Sequence, residues 1–368
     1  MNHNLEIQKI LLKTDTLSST EDKIASLRQA ITIADANSDT DWGYELRDMI
    51  IRHEASLLNR KESFPAFAWM LDAYDNNPEL FDEKEILHHY TWMASIAYCN
   101  AGISKKQIGD ILEDYRNRLG KAGFGNRSYY ELKTDWELFL GNGTEAYKNL
   151  LLRNKEAIDI FSSENGTVTE ICVRMLRGEF DKGIELANQL EVNGYLNSYS
   201  LLSMYNQLIY YLNNARDKRA KIYFDRAENL LPAIEKKPYL LFEISLMMYY
   251  MSHNEQSKAW DYFEKYAHWE IDANDYSSFD FSLAVLPLLQ GGGKRKMKIN
   301  RKLPYHREDD TYNIKELHDY YFEKTSRLAK LFDERDENNY FSEQIKRHLQ
   351  QKNRIWTTIC KYKKYFFR

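Results

Sequence analysis

Apolar residues recur along most of the chain at the 3.6-residue spacing of an α-helix with one buried face. The breaks between these stretches carry residues that start or stop helices, such as Ser19-Thr20, Asn77-Pro78 and Gly141-Asn142. The predicted helices span residues 4–13, 21–36, 41–59, 63–75, 83–101, 105–119, 128–140, 144–154, 164–177, 179–192, 196–213, 216–231, 238–252, 254–268, 276–290 and 313–334. The pattern therefore predicts an all-α fold.

The predicted helices fall into pairs. The first helices of successive pairs begin near residues 41, 83, 126, 164, 196, 237 and 276. Their spacing of roughly 32 to 43 residues is the range in which solenoids of helical hairpins repeat. A repeat with irregular members is favoured, and a helical bundle without repeats is the alternative.

Small and aromatic residues recur at fixed offsets within the pairs. Ala220, Phe224, Ala227 and Pro232 stand on and after a second helix, and Tyr211 precedes them on the first. The small residues permit close helix approach, and the proline ends the helix. Partial matches to the same spacing come from Ala66, Met70, Ala73 and Pro78, from Leu246, Tyr250, Ala259 and Phe263, and from Gly178, Gly183 and Ala187.

This spacing resembles the tetratricopeptide repeat, over roughly residues 20–290. The resemblance implies a right-handed α-α superhelix of about seven hairpins. The segment Leu331–Phe341 resembles a terminal motif of uncharacterised bacterial tetratricopeptide proteins, which implies no function.

The predicted organisation has four parts. Residues 1–290 form the repeats, with an additional helix at 4–13; residues 291–312 form a basic crossing loop; residues 313–341 form a C-terminal helix that caps the last pair; and residues 342–368 form a basic, aromatic tail.

Composition narrows the functional classes. The 43% of hydrophobic residues suffices for a large core, and a net charge of −4 gives no whole-chain reason to expect nucleic acid or an anionic membrane as partner. Cys99, Cys172 and Cys360 have neither disulfide-framework nor zinc spacing. The first residues do not resemble a signal peptide, and no apolar run is long enough to span a membrane. A cytoplasmic protein without metal or cofactor is expected.

The resemblance implies that the first helix of each pair lines a concave groove. The groove positions that it implies are Leu202, Tyr205, Asn206, Ile209, Leu212, Asn213, Leu241, Ile244, Met248 and Met251. Their apolar character disfavours a clamp for a peptide carboxylate and favours an amphipathic helix or extended peptide. The alternative is that the chain's own helices bury these residues as core. Ser203, Asn206, Tyr210 and Asn213 form a polar stripe, interpreted as a solvated face.

Two basic segments support a second hypothesis, a regulatory module that contacts nucleic acid or an anionic surface. The first contains Lys294, Arg295, Lys296, Lys298, Arg301 and Lys302, and the second is the tail, where Trp356, Tyr362, Tyr365, Phe366 and Phe367 interleave with Lys and Arg. Such a composition suits phosphates or anionic lipid headgroups. A solvated loop and a frayed terminus are the ordinary explanations.

No catalytic constellation stands out in the sequence. Arg47 and His53 on one helix are similar to the Arg/His pair of helical ribonucleases, which makes a nuclease the third hypothesis. His53-Glu54 lacks the second histidine of a zinc motif, and the adjacent His88 and His89 are ordinary interface residues. The favoured hypothesis is a non-catalytic scaffold that binds a protein or peptide, with a homodimer through the end hairpins as a further option.

Overall fold

The computed structural model of the chain describes residues 2–162, 166–194 and 196–350. Its helices are α1 (His3–Asp15), α2 (Thr20–Ala36), α3 (Thr40–Glu54), α4 (Ser63–Asn76), α5 (Glu83–Tyr98), α6 (Lys105–Lys121), α7 (Arg127–Phe139), α8 (Gly143–Arg153), α9 (Gly166–Leu176), α10 (Phe180–Asn193), α11 (Ser198–Asn214), α12 (Ala220–Leu230), α13 (Leu241–Asn254), α14 (Gln256–Tyr266), α15 (Asp275–Leu289) and α16 (Ile314–Asp336). A further helix, α17, covers residues 340–350. Short 3-10 turns lie at Pro78–Leu80, Leu231–Ala233, Pro238–Leu240 and Ala267–Asp272, and two short strands are β1 (Lys294–Lys296) and β2 (Thr311–Asn313).

The all-α prediction is confirmed. Each helix from α1 to α16 corresponds to a predicted segment, with ends that differ by a few residues. Side-chain caps fix many of these ends; for example, the Ser104 and Gln107 side chains form a reciprocal capping box at the start of α6. Helix α17 was not predicted.

Consecutive helices pack in pairs, from α3 with α4 to α15 with α16. In addition, each odd-numbered helix from α5 to α13 packs on the next odd-numbered helix. We call α5, α7, α9, α11, α13 and α15 the inner row. This arrangement of packed pairs is helical repeat-like and compatible with a helical solenoid.

The small residues of the repeat pattern lie where helices approach closely. Ala220, Phe224 and Ala227 are buried, and the Phe224 ring stacks on Tyr250 with ring centroids 4.5 Å apart. At Gly183 on α10, an added Cβ would lie 2.7 Å from the sulfur of Met175 on α9. A larger side chain at either kind of position would force the paired helices apart.

The segment after α15 crosses back to α16 as a short antiparallel ribbon. Strand β1 pairs with β2, with Arg295 opposite Tyr312. Met297, Ile299 and Leu303 are buried and anchor the segment. Helix α16 then packs along α15.

A carboxylate joins α16 to α17. Asp333 on α16 accepts hydrogen bonds from the backbone N–H groups of Phe341 (2.9 Å) and Ser342 (3.0 Å), which belong to the first turn of α17. The Phe341 ring lies 4.7 Å from that of Phe332 and 5.3 Å from that of Phe139. Residues 342–350 of the predicted tail are therefore a packed helix; the rest of that tail, 351–368, lies outside the described residues.

Gly141 provides a test of the contact between α17 and the repeats. Its φ is +70°, and an added Cβ would overlap the ring of Tyr340. Gly178 has a similar φ of +77°, but an added Cβ would meet nothing within 4 Å. We expect Gly178→Ala to cost about 1 kcal/mol for backbone strain and Gly141→Ala about 2 to 4 kcal/mol, because Tyr340 must also move. Urea unfolding of both variants measures the difference; equal costs would contradict this packing.

Candidate functional site

A cavity of about 240 Å³ lies along the inner row, and we call it the lumen cavity. Every helix of the inner row contributes to its wall, for example Tyr98 from α5, Asp135 from α7, Cys172 from α9 and Asp280 from α15. Helix α17 closes it with Tyr340, Gln344 and His348. The inner row therefore has a concave face that the chain's own helix covers in part.

Aromatic rings dominate this wall. Six tyrosines take part, namely Tyr98, Tyr210, Tyr211, Tyr249, Tyr276 and Tyr340, together with Phe139 and Phe242. Burial raises the pKa of Tyr210, Tyr211 and Tyr276 well above 10, so their hydroxyls stay protonated at neutral pH. The wall thus offers flat apolar faces with neutral hydroxyl groups between them.

Helix α17 is bound to the inner row by few polar contacts. The Tyr210 hydroxyl donates to Gln344 Oε1 at 3.1 Å, and Gln290 Nε2 donates to the Leu349 carbonyl at 3.3 Å. The His348 ring stacks on Tyr249 with centroids 3.9 Å apart and planes at 15°. A second cavity, of about 440 Å³, adjoins α17 and shares Tyr210, Tyr211 and Tyr340 with the lumen cavity. We call the surface of the inner row against which α17 packs the seat of α17. The two cavities show that this surface is incompletely filled.

Two carboxyl groups belong to the wall of the lumen cavity. Burial raises the pKa of Asp135 to about 6 even though Thr169 donates a hydrogen bond to it at 3.0 Å. Burial raises the pKa of Asp280 to about 8, and only the neighbouring Tyr276 hydroxyl acts against the rise. Among the described residues, no hydrogen-bond partner reaches the buried Oδ2 atom of Asp280.

The expected groove residues are core. Tyr205 is nearly buried, and no part of the following side chains is exposed: Leu202, Asn206, Ile209, Leu212, Leu241, Ile244, Met248 and Met251. Asn206 donates to Glu243 Oε2 at 2.7 Å between α11 and α13, and burial raises the pKa of Glu243 to about 7. Asn213 is partly exposed and accepts from Asn254 at 3.2 Å. The groove register was therefore wrong, since these positions face neighbouring helices.

On α11 the concave face is formed by Gln207, Tyr210 and Tyr211. The polar stripe that was interpreted as solvated contains one of them, Tyr210, whereas its Asn206 is in the core. A usable signal was present on α15, where Asp280 is the only charged residue between Asp275 and the end of the helix at Leu289. A lone carboxylate at such a position must face either a partner or a cavity.

The basic segment 294–302 lies on the surface of the ribbon and the turn after it. The Arg295 guanidinium lies 4.6 Å from the ring centroid of Trp260 and is partly buried. The remaining five cations are exposed and form no ion pair with any described residue: Lys294, Lys296, Lys298, Arg301 and Lys302.

Arg47 is engaged in packing. Its guanidinium forms two hydrogen bonds with Asp35, at 3.0 and 2.8 Å, and lies 3.9 Å from the ring centroid of Trp69. Its side chain is buried, whereas His53 is partly exposed. An arginine held in this way is not free to steady a phosphate.

One cluster combines potential metal ligands. Asp48, Glu85 and His89 have ligand atoms within 4.8 Å of one another. However, Arg52 forms ion pairs with Asp48 at 2.6 Å and with Glu85 at 3.0 Å. His89 Nε2 lies 2.9 Å from Asp48. Arg52 supplies the positive charge that the two carboxylates need, so the cluster is explained without an ion.

Neither a protein-family model nor a curated protein matches this chain. In the part of the chain that the structure describes, no helix has both the length and the apolar character required to cross a bilayer.

Asp280 has a measurable effect on stability. Its pKa rises from 3.8 to about 8 on folding, so between these values the folded protein keeps a proton that the unfolded chain releases. The contribution of Asp280 to stability therefore falls as pH rises from about 4 to 8. Asp280→Asn removes this penalty, and we expect it to raise the free energy of unfolding by on the order of 3 to 4 kcal/mol more at pH 8 than at pH 5.

Urea unfolding of the wild type and the variant at the two pH values measures this effect. Asp319→Asn is the control, because the Asp319 side chain is 64% exposed. A gain from Asp280→Asn that is equal at both pH values would contradict the raised pKa of Asp280.

Proposed function

We propose that this protein is a non-catalytic scaffold with tetratricopeptide-like hairpins whose concave face binds an amphipathic helix of a partner protein. The observation that carries the proposal is α17 itself, because a helix of this chain already lies on that face. The contacts of α17 with the inner row support a preference for a helical ligand with similar side chains.

Helix α17 has the pattern of a groove-binding helix. Phe341, Gln344, Ile345 and His348 are buried and follow the i, i+3, i+4, i+7 spacing of one helical face. The intervening residues Glu343, Lys346 and Arg347 are exposed. A partner segment with bulky residues at the same four positions would present the same face to the inner row.

The incomplete packing of α17 on the inner row favours its replacement by a partner helix. The two cavities beside it leave part of its surface without packing contacts. Its side chains and backbone form neutral hydrogen bonds with Tyr210 and Gln290 of the described residues, each of which contributes about 1 kcal/mol. A partner helix that fills these cavities gains contacts that α17 does not make.

Three finer features belong to the same proposal. The buried Ala220, Phe224 and Ala227, followed by Pro232 in a 3-10 turn, support tetratricopeptide-like packing and hence a right-handed superhelix. The resemblance at Leu331–Phe341 supports a bacterial origin. Cys99 and Cys172 are free thiols whose pKa burial raises to about 12, which is compatible with the cytoplasm.

A labelled peptide that spans residues 338–350 tests the proposal. In the wild type α17 competes with it at high effective concentration, so binding should be weak. Phe341→Ala in the protein removes a buried ring and loosens α17. We expect this variant to bind the wild-type peptide at least tenfold more tightly, as measured by fluorescence anisotropy.

The matched protein control is Phe322→Ala, because Phe322 is 41% exposed on α16. The matched peptide control carries Phe341→Asp and should not bind. Equal peptide affinity for the wild type and Phe341→Ala, or binding of the Asp peptide, would refute a helix-binding concave face.

The exposed cations of residues 294–302 favour a second candidate function, contact with single-stranded nucleic acid. Residues 294–313 contain seven Lys and Arg against three Asp and Glu, so this ribbon is locally positive in an acidic chain. Five of these cations have no ion-pair partner in the described residues, which leaves them available to phosphates.

Replacement of Lys294, Lys296, Lys298, Arg301 and Lys302 by Gln tests this candidate against polyuridine. Because each neutralised phosphate releases a counterion, the slope of log affinity against log salt should flatten by up to about 3. The control replaces Lys106, Lys148, Lys221 and Lys330, which are exposed but paired with acids on their own helices. Equal slopes in both variants would remove the ribbon from consideration, and binding to phosphatidylserine vesicles alone would indicate a membrane surface instead.

A further inference from the structure

The lumen cavity is a partly enclosed site whose charged wall residues are acidic. Asp135 and Asp280 are in its wall, and no Lys or Arg of the described residues is. The one histidine there, His348, is buried, and burial keeps its pKa well below 6.5, so it carries no charge at neutral pH. The electrostatic potential inside the cavity therefore favours a cation.

Buried side chains of the wall offer hydrogen-bond acceptors. The Oδ2 atom of Asp280 is buried and forms no hydrogen bond with any described residue. The His348 ring is buried, and the backbone of Leu283 supplies a partner for one of its nitrogens. A neutral imidazole keeps one acceptor nitrogen, and Asp280 accepts at Oδ2 once its carboxyl group is ionised, so both side chains offer acceptors to a cationic donor that displaces the carboxyl proton. Buried acceptors of this kind are costly unless a ligand or water satisfies them.

The tyrosine rings of the wall also favour a cation. Tyrosine faces carry negative electrostatic potential and attract cations that lie within about 6 Å of the ring centroid. The six tyrosines of the wall surround the volume that Asp280 adjoins. A carboxylate together with aromatic faces suits an organic ammonium ion, whose N–H groups donate to oxygen while its alkyl part contacts rings.

We propose that the lumen cavity binds a small organic amine in its protonated form, which donates to Asp280 and lies against the surrounding tyrosine rings. The volume of about 240 Å³ suits a small amine. A chelated metal ion fits less well, because Asp135 and Asp280 belong to no close group of three ligand side chains in the described residues.

The amine site goes beyond the proposed function and is coupled to it. Gln344 and His348 of α17 are part of the cavity wall, so the complete site exists only while α17 is seated. A ligand that binds this state shifts the equilibrium toward it. The amine therefore opposes binding of a partner helix, and by linkage the partner helix opposes the amine.

Binding of the amine releases a proton. Without ligand, Asp280 is mostly protonated at neutral pH; the incoming ammonium ion pairs with the carboxylate, and the carboxyl proton leaves to solvent. The other titratable groups of the wall with shifted pKa values change charge little between pH 6.5 and 7.5. The pKa of Asp135 is about 6, and those of Cys172 and Tyr340 are about 12. Burial holds the pKa of His348 well below 6.5 and raises the pKa values of Tyr98, Tyr210, Tyr211 and Tyr276 well above 10. Affinity should rise up to tenfold over this range.

Calorimetric titration of the full chain with benzylamine and 1,4-diaminobutane tests the proposal, with benzyl alcohol as the neutral counterpart of benzylamine. At least one amine should bind saturably and with proton release, and benzyl alcohol should bind at least tenfold more weakly than benzylamine. Asp280→Asn should weaken amine binding at least tenfold, whereas the exposed Asp319→Asn should leave it unchanged.

The results that would contradict the amine site differ from one another. If no amine binds at millimolar concentration, the site does not exist. If benzyl alcohol binds as well as benzylamine, or if Asp280→Asn retains the affinity of the wild type, the cavity is an apolar site without charge recognition. Binding of the 338–350 peptide to Phe341→Ala is measured separately, so loss of the amine site and loss of the helix-binding face give different results.

Discussion

The rest of the structure depends on the coverage of the inner row's aromatic face. No residue of the even-numbered helices α6 to α16 belongs to the wall of the lumen cavity, so in the described part of the chain these helices do not cover the tyrosine rings there. Helix α17 supplies this cover through Tyr340, Gln344 and His348, and Asp333 fixes the point at which the helix begins. The described turns of α17 leave the two cavities beside them.

Local signals were sufficient to predict the helices. Ser19 accepts from the backbone of Asp22, and Asn142 accepts from that of Glu145, as expected of residues that cap helices. The close approach at Gly183 and the buried Ala227 follow from the same reasoning about small residues. Such signals act over a few residues, which is why they remain readable in a single sequence.

The concave face could not be predicted in this way. On α13 both the face toward α11 and the face toward α15 are buried, so apolar periodicity does not distinguish core from lumen. Leu241 and Met248 were assigned to a groove for this reason, although Ser245 and Tyr249 line it. Helix α17 was missed because two of its four buried positions are the polar residues Gln344 and His348. Tyr210 and Tyr249, which contact Gln344 and His348, lie about a hundred residues or more away in the chain, and no local pattern encodes that contact.

The cap at Asp333 also has a kinetic consequence. A partner that needs the seat of α17 can associate only after this helix has left it, and departure breaks the two backbone hydrogen bonds to the Asp333 carboxylate or bends the turn that holds them. At high partner concentration the observed association rate then approaches the opening rate of α17 and stops rising. The speed of recognition is thereby a property of this chain alone, independent of which helix arrives.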